Sequence, residues 1–68
     1  MANPVVIRQK EIVITDFDKD YVFVKMEGEA EECRLPRNIF EDFEPLKRGF
    51  CALYRVLEDH GGRFMDVV

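Results

Sequence analysis

A chain of 68 residues is expected to form one small domain over residues 1–68, near the lower limit for a core without disulfides or metals. At 47% hydrophobic it is too apolar for a disordered tail, and no apolar run approaches the roughly 20 residues that a bilayer span needs. The Met-Ala-Asn-Pro start lacks the positive segment and apolar core of a signal peptide, so a soluble cytoplasmic protein is expected, not a membrane one.

Residues 5–15 are rich in Val and Ile, with Ile12 and Ile14 on one face and Val13 and Thr15 on the other. Residues 21–26 alternate too: Tyr21, Phe23 and Lys25 face one way, Val22, Val24 and Met26 the other. β-Branched and aromatic residues at period two argue for strands. Asp18-Lys19-Asp20 supplies the turn between them. Gly28 breaks the second strand, and Ala30 to Leu35 reads as a third, with Cys33 and Leu35 inward.

Pro36 ends that strand because it cannot donate a ladder hydrogen bond, and it presets one short helical turn over Pro36–Phe40. Ile39, Phe40, Phe43 and Leu46 are placed there to plug the end of a barrel. After Pro45 and Gly49, Phe50, Ala52, Tyr54 and Val56 alternate with Cys51, Leu53, Arg55 and Leu57. A helix from Phe50 to Gly61 is the competing reading; aromatic content and the tight Asp59-His60-Gly61-Gly62 turn favour a strand. Phe64 to Val68 returns as the last strand. The fold class is therefore all-β: a small antiparallel five-stranded barrel, SH3-like or OB-like, with one short helical turn after Pro36.

One stretch raises a specific chemistry. Asp16, Asp18 and Asp20 alternate, and Glu27 stands twelfth from Asp16, the ligand spacing of a helix-flanked calcium loop. Such a loop needs glycine at its sixth position, where this chain has Tyr21. On a strand, Glu27 would also lie about 23 Å from Asp20. The aspartates read as a hydrophilic hairpin loop.

Catalytic signals are weak. The chain has no serine, one threonine (Thr15) and one histidine (His60), the last in a Gly-rich turn expected to be exposed. Cys33 and Cys51 read as free, mainly buried thiols in apolar strands, where a thiolate is disfavoured. Three Cys and His residues without clustering do not make a zinc site. No cofactor and no enzymatic activity are expected.

Charge is the most uneven feature. Residues 27–44 hold seven acids, Glu27, Glu29, Glu31, Glu32, Glu41, Asp42 and Glu44, against Arg34 and Arg37, while the segments on either side nearly balance. Such a field repels a phosphate backbone and favours a basic partner.

Ile14-Thr15-Asp16-Phe17, Tyr21-Val22-Phe23-Val24, Glu27-Gly28-Glu29, Leu35-Pro36-Arg37 and Leu46-Lys47-Arg48-Gly49 occur in that order. Over residues 12–58 this pattern resembles a family of short bacterial proteins known only as a domain of unknown function. Leu35 stands where that family has Val, and Phe50 where it often has Asp. The resemblance implies a small SH3-like or OB-like barrel and no particular activity.

The expected function is a non-enzymatic protein-binding module, with the seven acids meeting a basic surface of another protein. Its sharper form is a phage- or plasmid-type inhibitor that presents carboxylates to a nucleic-acid-binding surface. The alternative is a small-barrel nucleic-acid-binding protein using Arg34, Arg37, Lys47 and Arg48, with Tyr54 alongside.

Overall fold

The computed structural model describes residues 3–68. Five strands, β1 (Val5–Phe17), β2 (Tyr21–Met26), β3 (Glu32–Pro36), β4 (Cys51–Asp59) and β5 (Gly62–Val67), form one antiparallel sheet in the order β3-β2-β1-β4-β5. The sheet curls into a half-barrel, and the all-β small-barrel expectation is met. A 3-10 helix, Arg37–Phe43, follows β3 and touches both β3 and β5, the two edge strands, across the open side.

Alternation fixes which face turns inward. Ile12 and Ile14 of β1, Val22 and Val24 of β2, and Leu35 of β3 are buried, joined by Tyr54 of β4 and Val67 of β5. Val13, Tyr21 and Lys25 stand on the solvent side, as period two requires. Phe40, with no exposed surface, fills the mouth of the half-barrel, with Leu46 beside it and Ile39 and Phe43 packed around them. Burying a Phe side chain is worth about 1.5–3 kcal/mol, a large share of the stability of so small a protein.

Local chemistry explains the turns. The Asp18 carboxylate accepts the backbone N–H groups of Asp20 (2.8 Å) and Tyr21 (2.7 Å), closing the three-residue β1–β2 loop. Gly28 has φ +79°, so the β2–β3 turn uses a backbone region that side chains disfavour. Residues 50–60 are not helical: β4 and β5 form a hairpin around His60 and Gly61.

Several boundaries differ from the sequence reading. β5 runs Gly62–Val67, not Phe64 to Val68, because Gly62 already pairs with Asp59. β3 starts at Glu32, not Ala30, because the turn after Gly28 extends through Glu31. The helical segment runs from Arg37 to Phe43 instead of Pro36 to Phe40, with Phe40 kinked between two short turns at φ −106°, ψ 17°. Phe50 precedes β4 and lies 42% exposed, its ring edge-on to Phe43 at 6.2 Å between centroids.

β1 is too long for its neighbour. β2 ends at Met26, opposite Ile12, so residues 5–10 of β1 pair only with β4. Two bulges interrupt β1, one between Val6 and Arg8 and one between Ile14 and Asp16. The protruding three-stranded end makes the molecule 37 Å long and sets its radius of gyration at 12.4 Å. A compact chain of this length would have a radius of about 11 Å.

Candidate partner-binding surface

All seven acids of residues 27–44 are exposed, but the structure separates them into two groups. Glu27, Glu29, Glu31 and Glu32 belong to the β2–β3 turn and the first residue of β3. Glu41, Asp42 and Glu44 lie on the 3-10 helix and just after it, beyond the far end of β3. The sequence reading, which treated them as one stretch, could not see that β3 runs between them.

Three of the seven are already engaged within the chain. Glu29 pairs with Lys10 at 3.3 Å, tying the acidic turn back to the protruding part of β1. The Glu32 carboxylate meets the Thr15 hydroxyl, which also lies 3.1 Å from the Phe23 carbonyl; its single proton serves one acceptor at a time. Glu44 is held by both prongs of Arg37. Among the described residues, Glu27, Glu31, Glu41 and Asp42 have no hydrogen bond or ion pair from their side chains. These four carboxylates are the ones left to meet something else.

The basic residues of the alternative reading are mostly committed. The Arg34 guanidinium lies 4.3 Å from the centre of the Tyr21 ring on the outer face of β2 and β3. Arg37, half-buried, also donates to the Asp18 carbonyl at 2.7 Å and lies 5.6 Å from the centre of the Phe17 ring. Arg48 pairs with Asp16 at 3.0 Å. Lys47 lines a shallow depression with Phe43, Pro45 and Phe50, where Asp42 and Glu44 offset its charge. Tyr54 is buried in the core and presents no stacking face, contrary to the role that the nucleic-acid reading gave it.

Two of the three alternating aspartates, Asp16 and Asp18, act as internal anchors. The Phe17 backbone N–H and then Arg48 hold the Asp16 carboxyl below its usual range. The Asp20 and Tyr21 backbone N–H groups do the same for Asp18. Among the described residues, no group of three or more His, Cys, Asp or Glu side chains is arranged to hold a metal ion. Arg48, 32 residues from Asp16 in sequence, was the signal that spacing alone could not supply.

The expectation of two mainly buried thiols changes. Cys33 and Cys51 are both free, and Cys33 is partly buried against the core. Cys51 is exposed, because the first residue of β4 pairs with outward-facing Val13. His60 is exposed at the β4–β5 turn, as expected. Among the described residues, no helix is long and apolar enough to cross a membrane.

No family model matches the chain, and no curated protein or solved structure matches it.

Proposed function

We propose that this protein is a non-catalytic protein-binding module of the cytoplasm that meets a basic surface of another protein through exposed carboxylates. The observation that carries this reading is the β2–β3 turn, where Glu27 and Glu31 flank the bend at Gly28 without an internal partner. A turn at a sheet end projects its side chains, and unpaired carboxylates on it need not be stripped from a neighbour before they bind. Glu41 and Asp42 form a second, separate group on the 3-10 helix. Charges of this kind steer association and set specificity more than they add affinity.

In its sharper form the partner is a nucleic-acid-binding protein whose basic surface these carboxylates occupy, as a phage- or plasmid-type inhibitor would. Direct nucleic-acid binding is the weaker reading, because Arg37 and Arg48 are already paired with Glu44 and Asp16. The test is affinity capture from host lysate with the wild-type chain and with E27K/E31K. Support is a protein retained by the first and lost by the second at equal fold content. Retention of the same proteins by both removes the turn from the binding surface.

A further inference from the structure

β1 carries an unused hydrogen-bonding edge inside the sheet. β2 pairs with β1 only from Phe17 back to Ile12. Along residues 5–10 the strand therefore has β4 on one side and, among the described residues, no strand on the other. In an antiparallel sheet one residue turns both its backbone groups to one neighbour, and the next residue turns both to the other. Ile14 donates to the Phe50 carbonyl at 2.9 Å and accepts from the Gly49 N–H at 2.8 Å, both on the β4 side. The Glu11 carbonyl accepts the Glu27 N–H at 2.9 Å on the β2 side. Alternation from these two points places the Glu11 N–H and both backbone groups of Gln9 on the open side. β3 and β5, the outer edge strands, have the 3-10 helix against them instead.

The turn after β2 shows what this edge accepts. It makes one backbone hydrogen bond to β1, from Glu27, and one carboxylate contact, Glu29 on Lys10 at 3.3 Å, and then leaves. Arg8 stands on the same face of β1, two residues farther along. Lys10 pairs with Tyr54 and Arg8 with Val56, and both partners point to the core side of the sheet. Arg8 is exposed, and among the described residues its side chain has no hydrogen bond or ion pair. Open backbone groups and a free cation thus lie together, in line with the end of β2.

The geometry points to an extended acidic segment of another polypeptide as the occupant of this edge, added beside β1 in line with β2. Its backbone pairs with Gln9 and the Glu11 N–H. One of its carboxylates meets Arg8, repeating the contact that Glu29 makes with Lys10. Main-chain hydrogen bonds hold an added strand of this kind, and its alternate side chains select it. A second copy of the same edge is a poor occupant, because residues 5–10 hold Arg8 and Lys10 and no acid. The contact is independent of the basic partner proposed for Glu27 and Glu31, and its test alters neither residue.

The test titrates a capped peptide of alternating valine and glutamate, with its carboxylates on one face, into isotope-labelled chain. The N–H groups of Gln9 and Glu11 should shift saturably and exchange with solvent more slowly. A peptide with lysine in place of glutamate should bind about tenfold more weakly, and Arg8→Glu should reverse that preference. Gln9→Pro removes an N–H that β4 does not use, so the strand signal in circular dichroism should persist while binding is lost. Should Gln9→Pro fail to fold, the peptide preference of Arg8→Glu decides alone. Without peptide, light scattering under reducing conditions should give the 8.0 kDa of one chain. No saturable shift at Gln9 and Glu11 with millimolar peptide overturns the proposal. So does equal binding of the two peptides, a preference unchanged in Arg8→Glu, or binding that survives in folded Gln9→Pro. A doubled mass that Gln9→Pro abolishes overturns it too, by giving the edge to a second copy.

Discussion

Arg37 grips Glu44 with two hydrogen bonds of 3.1 Å, Nε to Oε1 and Nη2 to Oε2, and so clamps the two ends of the 3-10 helix together. The same guanidinium donates to the Asp18 carbonyl, and the Arg37 backbone N–H donates to the Asp20 carbonyl at 3.0 Å. One side chain thus fixes the helix that covers the core to the β1–β2 hairpin. Planar, two-pronged arginine contacts are among the stronger polar interactions, though partial exposure weakens them. Arg37→Ala should destabilise the fold by about 1–2 kcal/mol, read as a lower urea midpoint. An unchanged midpoint would mean that the helix is held by Phe40 alone.

Val24 and Lys25 are neighbours with opposite fates. Val24 is fully buried, whereas Lys25 is exposed and stands opposite Glu32. Val24→Asp should abolish the cooperative unfolding transition, since an unpaired buried carboxylate costs several kcal/mol out of a total of about 5 kcal/mol. Lys25→Asp puts like charges across the strand pair and should cost less than about 1 kcal/mol. Equal effects would refute the register.

Acid should weaken the fold through its anchored aspartates. A hydrogen bond from Arg55 lowers the Asp66 carboxyl below its ordinary 3.8, and backbone N–H groups lower Asp16 and Asp18. In that range the unfolded chain binds protons that the folded chain refuses, so stability rises with pH. The contribution is complete above about pH 4 to 5 and is lost as pH falls through the folded values. Urea midpoints followed downward from pH 6 should drop on the acid side, and Asp66→Asn should flatten part of that slope. A slope that is the same in Asp66→Asn would sink the assignment.

The two thiols should separate by rate. Native protein should show one fast-reacting thiol, Cys51, and one slow, Cys33, with both reacting after denaturation. Cys51→Ala should remove the fast phase alone; loss of the slow phase instead would reverse the assignment.

The alternation of Val22 and Val24 against Tyr21 and Lys25 made β2 legible, and so did the apolar plug at Phe40 and Leu46. Period-two patterns report faces, and Pro36, Gly49 and Gly61 report where strands stop. The bulges at Ile7 and Thr15 leave no such mark, because an extra residue in one strand is defined only by its partner strand. The same limit hid the candidate surface. Seven acids close in sequence look like one patch, yet pairing of Glu29 with Lys10 and Glu44 with Arg37 depends on contacts between distant parts of the chain. Phe40 is buried and offers no binding face, whereas Phe43 is half-buried and lines the shallow depression beside Pro45 and Phe50.

The proposed contact joins the unpaired carboxylates of the β2–β3 turn to a basic partner. Its most direct test is the association kinetics of the captured partner with wild-type chain and with E27K/E31K across a salt series. At ~0.15 M salt the Debye length is about 8 Å, so contact charges still act while long-range steering fades. The expected result is slower association for the charge-reversed chain, little change in dissociation, and a wild-type affinity that falls as salt rises. Identical rates and an identical salt slope for the two chains would mean that Glu27 and Glu31 do not meet the partner.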